Sequence, residues 1–442
     1  MLTVIAHTAR LWLRHWPALM AWMLGGTIAN YLILQGAAQV GARTALGGIL
    51  LLPLAALALL VAYVAMLLVL REGMPRLGER APLPETAKER RIAFLDAVLG
   101  GILPFVLFYA AWGFIAEDVS AYLNQAFELQ FFWGIEAAVS GAEYDTAGTR
   151  DDLGFNPLTV GVLVTAYLAR WVLKKFQSKL PKWTGIIAVY LEALWVYLAA
   201  YLVADALAFV NEWVQSRVAM VWLADIRESL VGVLAPLGFL WDGIEWLLGE
   251  AAGIILLPVA WLTIAGVIYG QAVKAEAPEL SGRVPKRLRG RYARLPELVR
   301  KRLSDWGASI TAKFRPIGAA LLLMWRAGPV LIGGYILAVT VLTAGEEWFI
   351  AIVARVIGPY EYRMQFIIVA GLVVVASVLV EPVRIAVISA VYDRTLGRLS
   401  SSVVDPEPDI GGAIDAGRED DGLESIRVSG DEDHRDEIDR RS

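Results

Sequence analysis

KAEAPELSGRVPKRLRGRYARLPELVRKRLSDWGASITAKFR, running from Lys274 to Arg315, sits between long apolar runs. It holds twelve basic residues, densest at Lys286-Arg287 and Arg300-Lys301-Arg302, against four acids, Glu276, Glu279, Glu297 and Asp305. A basic segment between apolar spans is retained on the cytoplasmic side of a membrane. It therefore orients every other span, and the chain reads as a multi-pass membrane protein.

Composition agrees. Hydrophobic residues make up 57% of the 442 positions, above the usual share for a soluble domain. Sixteen Trp and fifteen Tyr suit a protein with two water–lipid boundaries, where amphipathic rings collect. There is no cysteine, which excludes disulfides, thiolate metal sites and Cys nucleophiles. The net charge of −4 averages two unlike parts: residues 405–442 carry −9 and the remainder +5. That acidic, Gly- and Pro-containing tail, from residue 400 onward, is expected to be disordered, which divides the chain into a transmembrane domain over 1–399 and a tail over 400–442.

About eight spans follow from the apolar runs, at 17–38, 46–70, 95–116, 157–176, 184–204, 251–271, 317–344 and 364–388. With eight spans both termini share a side. The segments assigned inside then hold 27 Lys and Arg, and those assigned outside hold six. The expected fold is thus an all-α polytopic transmembrane helix bundle of the plasma membrane, N-in and C-in. Residues 1–15 lack a cleavage-site pattern, so the first span is expected to remain in place.

The outside segments repeat a pattern. An acidic point (Glu117-Asp118, Asn211-Glu212, Glu346-Glu347) is followed by apolar residues at helical spacing, such as Val119, Tyr122, Leu123, Ala126 and Phe127, or Val210, Trp213, Val214, Val218, Val221 and Trp222. Spans three to eight therefore read as three related units, each a span, an amphipathic outer helix and a returning span. The stretch 230–240 is apolar but too short to cross, and suits either a re-entrant segment or a turn beneath the outer helices. The basic segment should lie along the inner surface, where anionic lipid head groups attract each basic residue by ~1 kcal/mol.

Enzymatic chemistry has little material. The three histidines, His7, His15 and His434, lie near the ends, and neither a GxxxxGK[ST] phosphate loop nor an HExxH zinc motif occurs. The outside acids Glu117, Asp118, Glu143, Asp145, Asp151 and Asp152 lack the spacing of a calcium loop. No cofactor and no nucleic acid are expected.

What remains are ionisable residues within spans, which are costly there and by default point to function. Glu192 stands about eight residues into the fifth span, and Arg170 about six from the inner end of the fourth. The connection between these spans is short, so they must be antiparallel neighbours, and the two residues fall at similar depth on either side of Leu180. An ion pair between them is the expectation, with Arg326 the rival partner. Glu381 and Arg384, three apart around Pro382, can pair on one helix face. Arg170 and Arg326 can also snorkel to the boundary. Gly266-x-x-x-Gly270 and Gly334-x-x-x-Ala338 suit close helix packing.

The stretch from Pro382 to Arg394, ending Tyr392-Asp393-Arg394, is similar to the last span of membrane domains found in glycerophosphodiester phosphodiesterase-like proteins. The likeness carries no catalytic motif and implies no activity. Two functions therefore compete. One is a non-enzymatic scaffold or complex subunit, with the lipid bilayer and another membrane protein or a second copy as partners. The other is a transporter or channel for a lipid or small anion, with Glu192, Arg170 and Arg326 along its path.

Overall fold

The computed structural model describes residues 2–80, 82–141, 156–176, 181, 184–218, 222, 235–272 and 328–404. The basic segment 274–315, Arg326, the acids at 143–152, residues 230–234 and the tail beyond 404 lie outside the described residues. The chain divides into two units, Met1–Leu399 and Ser400–Ser442; the first is described below.

The described residues are all-helical, with no strand among them. In order come α1 (Leu2–Gly41), α2 (Ala45–Leu70), a single 3-10 turn (Arg71–Gly73), α3 (Pro75–Arg80), α4 (Ala87–Ala111), α5 (Phe114–Ser140), α6 (Pro157–Phe176), α7 (Thr184–Gln215), α8 (Ala235–Ala272), α9 (Pro329–Ile357) and α10 (Tyr362–Val404). Seven of these, α1, α2, α4, α6, α7, α9 and α10, contain a stretch long and apolar enough to cross a membrane. α8 adds the shorter apolar run Ile254–Gly270. A helix suits that solvent because it satisfies its backbone polar groups within its own segment.

Local chemistry explains several helix starts. Thr86 Oγ1 accepts from Glu89 N at 3.2 Å while the Glu89 carboxylate accepts from Thr86 N, a reciprocal cap that opens α4. Asn156 Oδ1 accepts from Thr159 N at 2.8 Å, and Pro157 fills the first helical position of α6, where a missing N–H costs nothing. α6 accordingly begins and ends where its apolar run does.

Elsewhere the helices depart from the spans read from hydropathy. α1 continues through Pro17 and reaches 40 residues, about 60 Å at 1.5 Å per residue. α4 stops at Ala111, and Gly113, at φ +82°, turns the chain before α5 begins at Phe114. Glu117 and Asp118 thus lie near the start of α5 and do not close the span before it. α5 buries Ile115, Asp118, Val119, Tyr122 and Ala126, much of the expected stripe, while Phe127 stands exposed. The other two outer helices are not separate: α7 runs through Asn211-Glu212 to Gln215, and α9 through Glu346-Glu347 to Ile357. Val210, Trp213, Val214, Val218 and Trp222 are exposed, with no apolar face turned inward. Within 230–240, residues from Ala235 onward are already helical as the start of α8.

α1 and α2 form an antiparallel pair, and α2 packs in turn on α4, α7 and α8. The centre is built from Tyr63, Phe105 and Trp261, from α2, α4 and α8; Tyr63 and Trp261 lie 4.6 Å apart between ring centroids. Between α2, α4 and α7 a gap of about 10 Å³, bordered by Pro53, Ile102, Phe105 and Tyr197, is at the limit of what one water needs. Gly41 and Gly48 mark close approaches that the sequence did not reveal, and Gly270 does not mark one. A Cβ on Gly270 would meet nothing within 4 Å, whereas Gly41 and Gly48 both lie against the Tyr122 ring.

Candidate functional site

Among the described residues, polar side chains gather in several groups within or against the helices. The first spans the α6–α7 hairpin, where Arg170 Nε lies 2.7 Å from Glu192 Oε2. Helix pairing follows from the short connection, and similar depth places the charges together. Both side chains are mostly buried, so each offsets much of the other's desolvation cost.

The second group joins α9 to α10. Arg384 donates to Glu381 one turn before it, the pairing read from their spacing, and its Nη2 lies 3.3 Å from Glu346 Oε2 and 3.4 Å from Thr343 Oγ1. Ser377 Oγ donates to the other oxygen of Glu346 at 3.2 Å. Arg384 therefore faces two carboxylates, an arrangement the sequence did not reveal. Glu346 reads as an exit marker beside Glu347 and Trp348, yet the helix continues and points it inward, leaving Glu347 and Trp348 exposed. The signal available was the spacing of Ala338, Leu342 and Glu346 along one face.

The third group anchors α5. Tyr109 Oη donates to Asp118 Oδ2 at 2.8 Å across the Gly113 turn. Burial raises the Asp118 carboxyl to about pKa 6, with the tyrosine hydrogen bond opposing and Glu117 adding to the rise.

The fourth lies where α3 begins, against α10 and the first turns of α1. Asp393 Oδ1 accepts from the backbone N–H groups of Arg76 and Leu77, at 3.1 and 3.0 Å, and satisfies the start of the short helix α3. His7 Nε2 lies 3.9 Å from the other Asp393 oxygen. Close by along α10, Tyr269 Oη bridges Leu67 O and Ser389 Oγ, both at 2.9 Å. None of these roles was read from the sequence; the signal was an acid and a serine inside an otherwise apolar run, Ser389 and Asp393 four residues apart.

Arg326 lies outside the described residues. Among the described residues no three His, Asp or Glu side chains gather as metal donors. The described residues thus form an all-helical structure with seven helices apolar and long enough to cross a membrane and charges set among them. Comparison with protein-family models, curated proteins and solved structures found no match.

Proposed function

We propose that this protein is a non-enzymatic membrane scaffold or a subunit of a membrane complex, with eight spans and both termini in the cytoplasm of a cell bounded by its plasma membrane. The observation that carries this reading is the pairing of charges: Arg170 with Glu192 and Arg384 with Glu346 across helices, and Arg384 with Glu381 within one helix. A transport path needs polar groups available to cargo. Among the described residues Arg170, Glu192, Arg384, Glu381 and Glu346 are engaged with one another, and the gap between α2, α4 and α7 is apolar and about the size of one water.

Exposed apolar residues on α5, Phe127, Phe131, Phe132 and Val139, offer a face to lipid or to another helix. A photo-crosslinking residue at Phe131, activated in native membranes, should give one discrete adduct, its mass naming a second protein or a second copy. Lipid adducts alone would remove the scaffold reading. The alternative, a path for a lipid or small anion, would gain if Glu192→Gln left stability unchanged while abolishing a cellular phenotype.

Orientation has its own test, since the chain lacks cysteine. A cysteine at Gly148 should label from outside, and one at Gly290 only after permeabilisation. The reverse pattern would invert every side assigned above.

A further inference from the structure

A cavity of about 350 Å³ opens where α2 runs into the 3-10 turn, between α1, α4 and the loop that precedes α4. Its walls divide by chemistry. Trp22, Leu68, Val69 and Phe94 make an apolar side, and Arg71 and Arg90 make a cationic one. Glu72, exposed to solvent, stands at the same rim, which leaves one net positive charge around the opening. Arg71 is 6% exposed, although it ends one of the most apolar helices in the chain.

Both arginines also contact the loop. Arg71 Nη2 donates to Pro82 O at 3.0 Å, and Arg90 Nη2 to Glu85 O at 3.2 Å. Arg71 makes its contact from a buried position and Arg90 from an exposed one. A guanidinium carries five N–H donors in a planar fork matched to phosphate oxygens, so Arg90 can meet an anion while keeping its loop contact. The reciprocal Thr86–Glu89 cap fixes the start of the helix that carries Arg90. The exposed Trp22, Leu83 and Arg90 mark the mouth.

We propose that this cavity binds the headgroup region of an anionic phospholipid, its phosphate at Arg90 and Arg71 and the first part of its acyl chains along Trp22, Leu68, Val69 and Phe94. The volume is at the lower end for small-ligand sites, suited to a head and glycerol region with the chains leaving through the mouth. A zwitterionic lipid would bring its own cation to a rim that is already positive, and a soluble phosphate would leave the apolar wall unused. The site is separate from the paired charges and does not depend on which membrane face it occupies.

Ala93 also lines the cavity, and the absence of native cysteine makes Ala93→Cys a clean reporter. The full chain carrying it, purified in detergent, is reacted with a fluorescent maleimide with and without added lipid. Phosphatidylglycerol should slow labelling several-fold, phosphatidylcholine should not, and Arg90→Gln should remove the protection without lowering the melting temperature, because Arg90 is exposed. Ser140→Cys, on the exposed end of α5, reports general micelle effects and should be unaffected. The proposal is overturned by equal protection from both lipids, by protection that survives Arg90→Gln, or by equal slowing at Ser140→Cys. Full protection by glycerol phosphate alone would assign the site to a soluble phosphate and overturn the lipid.

Discussion

Arg170 Nε and Glu192 Oε2 meet at 2.7 Å across the α6–α7 hairpin, a match between charges on two helices that followed from the short connection. Arg170→Gln or Glu192→Gln should each destabilise the detergent-solubilised protein by on the order of 2 kcal/mol, between the values for exposed and fully buried pairs. The double exchange Arg170→Glu with Glu192→Arg should recover part of that loss. Thermal unfolding of the four proteins decides it; an exchange no better than the worse single variant would argue against the pairing.

Arg384 should be the most sensitive of the buried charges. Replacing it by Gln leaves Glu381 and Glu346 facing each other without a cation, a loss of about 3–5 kcal/mol. Glu346→Gln removes one of the two acids and keeps the Arg384–Glu381 pair, so it should cost far less. Melting temperatures in the same detergent should rank Arg384→Gln well below Glu346→Gln. Equal values would mean that Arg384 does not join α9 to α10 energetically.

Stability should carry a pH dependence traceable to Asp118. Its carboxyl, raised by burial from an ordinary 3.8 to about 6, binds its proton more tightly in the folded chain than in the unfolded one. That contribution is complete below the unfolded value and is lost as the pH rises through the folded one. Asp118→Asn keeps a hydrogen-bond acceptor for Tyr109 and cannot ionise. Relative to the parent it should gain stability between pH 4 and pH 7, by up to about 3 kcal/mol. A difference in melting temperature that stays constant with pH would assign the dependence elsewhere.

Gly48→Ala tests how α5 is seated. A Cβ there falls onto the Tyr122 ring, which also closes against Gly41. Overpacking of this kind costs about 2 kcal/mol. Combining it with Tyr122→Ala should give a loss smaller than the sum of the two single losses, because the clash has lost its partner. Additive losses would place Tyr122 away from Gly48.

How much of this was legible depended on the kind of signal. α6 was readable to the residue because its apolar run coincides with the helix that Asn156 and Pro157 open in the structure, and the Arg170–Glu192 contact followed from one short connection. α7 and α9 were not readable at their ends. Hydropathy falls where acids occur, so Asn211-Glu212 and Glu346-Glu347 read as exits, whereas backbone hydrogen bonding carries a helix through such points unless something ends it. Where Gly113 adopts φ +82°, something does, and α4 stops. Glu346 and Asp393 were missed for a common reason: their partners lie 38 and about 317 residues away in sequence, and no local periodicity reports a contact of that range.

The cap that Asp393 places on α3 has a consequence in time. The corner formed by α2 and α3 is complete as chain after 80 residues, yet the acceptor that satisfies its two N–H groups is translated more than three hundred residues later. Until α10 has been made and closes on that corner, those two amides lack this acceptor, so the seating of a helix near the start of the chain depends on a residue made near the end of α10.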